Sequence, residues 1–461
     1  MQIAVNLAGQ GIAMHLHQGV RPFPIAGLGQ IEYLFVITLH VFTLLHVRAR
    51  HLTGKCRRGT HTARRLLWLL ALAALMVVKG GSVLAATGFE YLGQQIIPNG
   101  TKFGGHTVGG LSSIDYDAIS RRYFLVSDDR SNARFYTLRL DLDKFERNDI
   151  ETTGMDGVSI ETVQLLKRRD GKPHARNEAD VEALRLAPSR LSLFWSDEGR
   201  RSLFGFRAPA INESGLNGDF IRRLPLPAYY MPQGSVRGTA SGDTGIAANL
   251  SLESLSLSPD GNTLWTATEN GLVQDSAEAD LYQGSQARLL SFALSTGSAA
   301  AEYIYPVEPV ALPPIIRGLF STNGLSEMIA IGPKQFLMLE RSFAIGATTP
   351  GSRQTGMSIR LFYADASRAT DVAGLESIAG KTVQAVEKTL LLDLSQLVND
   401  DGTPLVTDNI EGMSLGPCYK GKPTLLLVSD NNFSLLQFTQ IVALSLHDPL
   451  PVALPACKPP R

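Results

Sequence analysis

An internal repeat constrains this chain more than any other feature of its sequence. The clearest copy begins with NIEGMS at 409–414, continues through the apolar run TLLLV at 424–428 and ends in SDNN at 429–432. In each copy, Leu or Met follows Glu or Gly, and an apolar run then ends in a polar cluster. The anchor residues of the five copies are Leu111, Leu184, Leu255, Leu325 and Met413. They are separated by about 70 to 73 residues three times and by about 88 once, and such regular spacing is typical of propellers and repeat arrays.

The segments between the anchors indicate an all-β fold. Short apolar runs are bounded by Gly, Pro, Asp and Asn, and the turn SPDGN at 258–262 is typical of a β-hairpin. We therefore expect a β-propeller of five or six blades with long rim loops, because radial closure removes exposed sheet edges. A degenerate sixth blade could lie between Ala344 and Asp408. A strand near 89–97 is expected to close the ring against strands near 433–446.

The amino terminus differs from the rest of the chain. Residues 1–85 hold nine Lys and Arg but one acidic residue, Glu32, which leaves 34 basic and 42 acidic residues in the remainder. An acidic body argues against nucleic-acid binding and is compatible with cation binding. Only three of the nine histidines follow residue 85, namely His106, His174 and His447, which is too few and too scattered for a His-based zinc site.

Residues 62–85 are predicted to be a signal peptide. Basic residues precede an apolar stretch of about 13 residues, and VLA at 83–85 fits the small-residue pattern of a signal-peptide cleavage site. A single membrane anchor is the alternative, although the stretch is short for a span. We expect an exported protein, periplasmic or extracellular, whose mature chain begins near Ala86 as one propeller domain (86–461) with a Pro-rich tail. Residues 1–61 are either an extension of uncertain role or an over-extended translation start.

Acidic residues recur at matching points of the repeat. The acids near the anchors are Glu182, Glu253, Glu327 and Glu411. The polar clusters place Asp129, Glu198, Glu269, Glu340 and Asn431 at one equivalent position, with Asp128, Asp197 and Asp430 just before it. Equivalent blade positions surround the axis, so these acids are expected to form rings that need protons, arginines or a hard cation such as Ca²⁺. The alternative is structural, because a repeated Glu can accept backbone hydrogen bonds and Asp-Asn pairs are common in turns.

The order of these motifs resembles a known family. VGGLS at 108–112, SDDR at 127–130, LER at 339–341 and SDNNF at 429–433 look like the phytase-like family described by an esterase-like activity of phytase. The resemblance covers about residues 89 to 447. It implies a secreted, acid-rich β-propeller suspected of phosphoester hydrolysis.

Two functions from different classes remain open. In the first, a divalent cation, Ca²⁺ above all, is held by ring acids, and the predicted metal ligands are Asp128, Asp129, Glu198, Glu269, Glu327, Glu340 and Asp430. The predicted catalytic residues are Glu182, Glu253 and Glu411 with Arg130 and Arg341, and one of these arginines steadies the phosphate of a small phosphorylated substrate. In the second, the propeller binds a ligand or partner without catalysis and any calcium is structural. We expect a monomer with no nucleic-acid partner and no stable membrane span in the mature chain.

The mature chain would keep two of the three cysteines. Cys418 lies in a loop of the last repeat and Cys457 in the Pro-rich tail. An even pair in an exported protein is typically oxidised, so we expect a Cys418–Cys457 disulfide. The alternative is two unpaired thiols.

Overall fold

Five four-stranded antiparallel sheets follow one another along the chain, and each is one blade of a β-propeller. This computed structural model describes residues 88–348, residues 355–447 and Cys457. The described residues belong to the unit Leu84–Arg461. The predicted extension 1–61 and signal peptide 62–85 lie outside the described residues and stay predictions.

The strands follow the predicted repeat. Before the first blade come β1 (Phe89–Ile97) and the small hairpin of β2 (Lys102–Phe103) and β3 (His106–Thr107). The first blade contains β4 (Leu111–Asp117), β5 (Arg122–Ser127), β6 (Arg134–Leu140) and β7 (Val158–Leu165). The second contains β8 (Val181–Leu186), β9 (Ser192–Asp197), the rim hairpin of β10 (Arg200–Ser202) and β11 (Gly205–Arg207), β12 (Ala210–Gly215) and β13 (Phe220–Leu224). The third contains β14 (Leu252–Leu257), β15 (Thr263–Thr268), β16 (Ser285–Ala293) and β17 (Ser298–Val307).

The last two blades complete the ring. The fourth contains β18 (Ser321–Ala330), β19 (Gln335–Ala344), β20 (Met357–Asp365) and β21 (Glu387–Asp393). The fifth contains β22 (Asn409–Leu415), β23 (Thr424–Asp430) and β24 (Thr439–Leu446), and β1 is its fourth strand. Three short 3₁₀ turns, Leu142–Lys144, Ala228–Tyr230 and Leu394–Gln396, are the helical elements of the described residues. No helix in this part of the chain has the length and hydropathy to cross a membrane.

The ring closes as the sequence predicts. Strand β1 pairs antiparallel with β24 from Phe89 opposite Leu446 to Ile97 opposite Thr439. The first and last strands of the propeller therefore lie in one blade, which leaves β24 with a partner on both sides and protects its edge. Residues 258–262 form the predicted hairpin between β14 and β15. Gly261 has a φ of 71° there, a conformation in which a glycine carries no side-chain strain.

The fold has five blades in the described residues. The hypothesis of a sixth blade between Ala344 and Asp408 is wrong, because this segment supplies β20 and β21 of the fourth blade and the connection to the fifth. The long fourth spacing of the repeat therefore reflects longer strands and loops within one blade.

The apolar core is divided among the blade interfaces. Five large clusters of buried apolar residues each join two neighbouring blades. One cluster packs Trp265 and Tyr305 of the third blade against Met338 of the fourth, for example. Strands β4, β8, β14, β18 and β22 each contact their counterparts in the neighbouring blades and form the inner ring. Since the core lies between the blades, the axis is free for polar side chains.

The carboxyl-terminal tail is attached to the last blade. The sulfur atoms of Cys418 and Cys457 are bonded in the structure, with their Cα atoms 5.6 Å apart. Cys418 follows β22, so the bond holds this point of the tail beside the fifth blade. Whether the bond forms in the cell stays a prediction that depends on export.

Candidate functional site

A β-bulge interrupts every strand of the inner ring at the same place. In each blade, two residues of the first strand lie opposite one residue of the second strand. The bulged residues are Ser112, Glu182, Glu253, Ser326 and Glu411. A bulge redirects the side chain of its extra residue and is common beside active sites. Three of the five blades therefore present a glutamate at this position.

The pairing register corrects the predicted alignment of the repeats. Counted from the bulge, Leu184, Leu255 and Met413 are equivalent, but their counterparts are Ile114 and Met328. The anchors Leu111 and Leu325 were thus placed three residues too early. The reason is that GLS at 110–112 and 324–326 puts a serine at the bulge, whereas the other copies have a glutamate there.

A second ring lies at the carboxyl ends of the second strands. The five residues that occupy this position are Asp128, Glu198, Glu269, Arg341 and Asp430. The alignment predicted from the sequence assigned Glu198 and Glu269 to this position correctly. In the other three blades it chose an adjacent residue, namely Asp129, Glu340 and Asn431. The corrected ring holds four acids and one arginine.

These residues surround a cavity of about 480 Å³ at one end of the axis. Besides Asp129, which pairs with Arg134, eight carboxyl groups lie in its wall or directly behind it: Asp128, Asp180, Glu182, Glu198, Glu253, Glu269, Glu411 and Asp430. All are buried except Asp128, which is half-buried. Three arginines, Arg130, Arg176 and Arg341, lie in the same wall and cannot balance eight carboxylates, so the site requires protons or cations.

Burial and mutual repulsion raise the pKa values of this cluster. Burial is the main cause for Asp128, whose pKa rises to about 8, and the charges of Glu411 and Asp180 add to it. Burial and the Asp180 charge raise the pKa of Glu198 to about 8. Burial likewise raises the pKa of Glu269 to about 7, although Arg341 opposes the shift. The pKa values of Glu182, Glu253 and Asp430 are also raised well above their ordinary range, by burial first.

Three carboxylates come close enough to share one ion. One oxygen atom each from Asp180, Glu182 and Glu198 lies within 4.8 Å of the others. Asp180 Oδ1 accepts a hydrogen bond from Arg130 Nε at 2.6 Å, and Glu198 Oε1 accepts one from the Ser251 amide at 3.0 Å. Each of these two carboxylates keeps its second oxygen for another ligand. This cluster lies entirely in the second blade.

Arg130 and Arg341 connect neighbouring blades around the cavity. Arg341 Nη2 of the fourth blade lies 3.2 Å from Glu269 of the third and 3.2 Å from Glu411 of the fifth. Arg130, in the β5–β6 loop of the first blade, donates to Asp180 and, through Nη2 at 2.8 Å, to Asn249 Oδ1. Arg341 is largely buried, whereas about half of the Arg130 side chain is exposed. Both guanidinium groups are therefore held at the wall of the cavity.

The cavity wall also concentrates unusual backbone geometry. Asn177, Asn249, Asn432 and Phe433 all line it with positive φ values between 47° and 63°. Left-handed conformations are uncommon outside glycine, above all for a bulky residue such as Phe433, and they cluster at functional sites. The loops around the mouth are thus held in one strained arrangement by their surroundings.

A sequence comparison agrees with this geometry. The sequence model of the family described as "Phytase-like: Esterase-like activity of phytase" matches residues 106–433. The chain belongs to the phytase-like family. The match contains the inner strand of every blade and both rings of this phytase-like site, and it ends just after β23. The predicted resemblance is confirmed. No curated protein matches the sequence.

Solved structures resemble the phytase-like fold only distantly. An endo-arabinase from Bacteroides thetaiotaomicron has a TM-score of 0.38 at 12% identity, covering 77% of this chain and 98% of its own. A luciferin-regenerating enzyme has a TM-score of 0.32 at 10% identity, and the match covers 74% of this chain and 93% of that enzyme. The Dos1 propeller has a TM-score of 0.30 at 7% identity, and the match covers 74% of this chain and 69% of that propeller chain. These values carry no inference about activity.

Two predicted metal ligands of the phytase-like site have other partners. Asp129 lies in the cavity wall, but its carboxylate pairs with Arg134 at 2.6 Å and accepts the Ser131 amide. Glu340 points away from the axis, where Tyr305, Asn323 and Lys388 donate to it. Their inclusion in the ring was wrong, because each was aligned one residue from the true position.

Glu327 serves a different structure on the inner ring. It follows the bulge by one residue and pairs with Arg185 at 2.9 Å. Arg185 also donates to the carbonyl oxygens of Ile114, Leu184, Met328 and Met413, which belong to four inner strands. Its guanidinium therefore joins four blades. This contact lies at a different level of the axis from the β-bulges. The prediction of Glu327 as a metal ligand is wrong for this reason.

Sequence reasoning missed Asp180 and Asn249. Asp180 precedes the bulge residue Glu182 by two positions, where the other blades have Gly110, Ser251, Gly324 and Asn409. The alternation DVE at 180–182 was the available signal, since residues two apart in a strand face the same side. Asn249 lies in a loop and carries no such signal.

Proposed function

We propose that this phytase-like propeller is a metal-dependent phosphoric ester hydrolase that acts on a small phosphorylated substrate. The observation that carries the proposal is the convergence of three carboxylates, Asp180, Glu182 and Glu198, at an open cavity that three arginines border. Carboxylate oxygens are the ligands that hard divalent cations prefer, and guanidinium groups bind phosphate oxygens. We favour Ca²⁺ as the cation.

The donor set fits such an ion. All three groups are carboxylates, the second oxygens of Asp180 and Glu198 are available, and the described residues donate no recorded hydrogen bond to Glu182. Glu253, Glu411, Asp128 and Asp430 surround this set and add negative charge. A bound divalent cation supplies Lewis-acid polarisation of a phosphoryl oxygen and lowers the pKa of a coordinated water.

The residues of the chain would position the phosphate. Arg130 is the more accessible arginine, and Arg341 is held between Glu269 and Glu411 by two ion pairs. Without a cation, the ionised members of the carboxyl cluster would repel a phosphate, and the protonated members offer it no positive charge. Substrate binding is therefore expected to depend on prior cation binding. Hydrolysis joins a water oxygen to phosphorus and breaks the ester P–O bond, and the alcohol leaves with a proton.

The test is phosphate release from a panel of phosphomonoesters and phosphodiesters. The chelated protein should be inactive, Ca²⁺, Mg²⁺ or Mn²⁺ should restore activity, and Glu182→Gln should lower the restored activity more than about tenfold. Glu387→Gln is the matched control, because Glu387 is an exposed carboxylate paired with Arg368. Absence of turnover with every ester and cation would refute the proposal.

A non-catalytic propeller with structural calcium is the second candidate. The observation that favours it is the bridging role of Arg341, which ties the third, fourth and fifth blades through Glu269 and Glu411. If the ion only adds to such bridges, Ca²⁺ will raise the melting temperature while no phosphoester is cleaved.

We also propose that the protein is exported and acts as a monomer in the periplasm or outside the cell. The support is the signal peptide predicted at 62–85. Amino-terminal sequencing of protein from the native envelope should find a start near Ala86. An intact Met1 would contradict export by this route.

A further inference from the structure

A second and larger cavity adjoins the carboxylate site. It has a volume of about 860 Å³ and shares Asn249, Arg341, Glu411 and Asn432 with the first cavity. Since the same four side chains line both spaces, the two cavities meet at Arg341 and Glu411. A ligand with its phosphate at the carboxylate site can extend into the second cavity, whose volume lies in the range of cavities that bind small molecules.

Apolar side chains form one part of the wall of the second cavity, and polar groups, among them Glu278 and Asp408, form the rest. The larger apolar side chains that line it are Leu250, Phe320, Phe343, Met357, Leu436 and Phe438. The rings of Phe320 and Phe343 lie 6.1 Å apart. Phe320 is 62% exposed and Leu436 is 94% exposed, so both offer apolar surface to a ligand. Exposed apolar surface that gathers at one cavity marks a binding site more often than isolated apolar residues do.

Charge limits what the combined site accepts. The carboxylate cavity holds many more acids than arginines, so a polyol with many phosphate groups would bring several negative charges against it. One phosphate beside one cation avoids this repulsion. The rest of the substrate then lies against aromatic and aliphatic side chains.

We propose that the substrate is a phosphoester whose alcohol portion is bulky and apolar and occupies this second cavity. The proposal rests on the proposed hydrolase function for its phosphate end. It names Phe320, Phe343 and Leu436 as residues that determine substrate specificity.

The first experiment compares two esters with similar leaving groups in the calcium-loaded protein. The value of kcat/KM for 2-(2-naphthyl)ethyl phosphate should exceed that for ethyl phosphate at least tenfold. The double variant Phe320→Ser, Leu436→Ser should bring this ratio close to one by lowering kcat/KM for the naphthyl ester. The side chains it alters are largely exposed, so the fold should persist. The control is Phe204→Ser, which alters an exposed phenylalanine in the β10–β11 hairpin.

The second experiment measures binding without turnover. Calorimetry of the calcium-loaded protein should show 2-(2-naphthyl)ethylphosphonate binding at least tenfold more tightly than ethylphosphonate, and the double variant should lose the difference. If no ester is cleaved but this preference is found, the hydrolase function fails and the apolar cavity is supported. Equal binding, or no binding of either phosphonate, overturns the inference whatever the activity. Binding to phosphatidylcholine vesicles without a phosphonate preference also overturns it and assigns Phe320 and Leu436 to a membrane surface.

Discussion

The metal-free protein should become more stable as the pH falls from 7 to 5. Burial, followed by neighbouring charges, raises the pKa values of Asp128 and Glu198 to about 8, and burial raises that of Glu269 to about 7. In the unfolded chain these groups return to their ordinary values near 4. Between pH 5 and 7 the folded protein therefore holds protons that the unfolded chain has lost. The free energy of unfolding must then decrease as the pH rises through this window.

The size of the effect follows from one group. For Glu198, a shift from 4.5 to about 8 lowers the free energy of unfolding by about 2.5 kcal/mol between pH 5 and 7. With an unfolding entropy of roughly 2.1 cal/mol/K per residue, this corresponds to about 3 °C in Tm for Leu84–Arg461. The other raised carboxyl groups act in the same direction. His174 acts against them, since burial lowers its pKa, but it is a single group.

Thermal melts of the chelated protein at pH 5, 6 and 7 measure this dependence. We expect Tm to fall by at least about 3 °C over this range, and the slope to become smaller in Glu198→Gln. The control Glu387→Gln should keep the full slope. A Tm that is constant or rises with pH in the chelated protein would refute the reasoning about buried, proton-sharing carboxyl groups.

Three further predictions follow from named contacts. Ca²⁺ should raise Tm, because it binds the folded state better than the unfolded state, and Glu182→Gln with Glu198→Gln should abolish the rise; an unchanged rise would place the ion elsewhere. Arg185→Met should lower the free energy of unfolding by about 3 to 5 kcal/mol in urea titrations, since it leaves a buried carboxylate unpaired; a loss below about 1 kcal/mol would contradict its role on the axis. Cys418→Ser should cost about 3 to 4 kcal/mol, because the Cys418–Cys457 bond closes a 39-residue separation, and free thiols at both positions in envelope protein would end the disulfide hypothesis.

The repeat and its closure could be read from the sequence because they leave periodic signals. The apolar runs, the turn at 258–262 and the strand at 89–97 each have a local pattern, so the propeller and the pairing of β1 with β24 were predictable. The blade count was not, because the long segment after Ala344 could hold either one blade or parts of two.

The sequence predicted which types of residue form the site better than it predicted how they align between the blades. Glu182, Glu253 and Glu411 were found because each stands two residues before an apolar anchor. A β-bulge adds one residue to a strand but leaves no recognisable signal in the sequence. The sequence therefore could not show that Glu327 and Glu340 lie outside the ring positions. Only the strand pairing shows that Arg341, and not its neighbour, faces the cavity.

Anomalous diffraction from crystals grown with Ca²⁺ tests the central claim most directly. The account predicts an anomalous peak about 2.3 to 2.6 Å from carboxylate oxygens of Asp180, Glu182 and Glu198. Glu182→Gln crystals should show a weaker peak or none. A fully occupied calcium peak elsewhere in the protein, with none at these three residues, would contradict the assignment of this cluster as the metal centre.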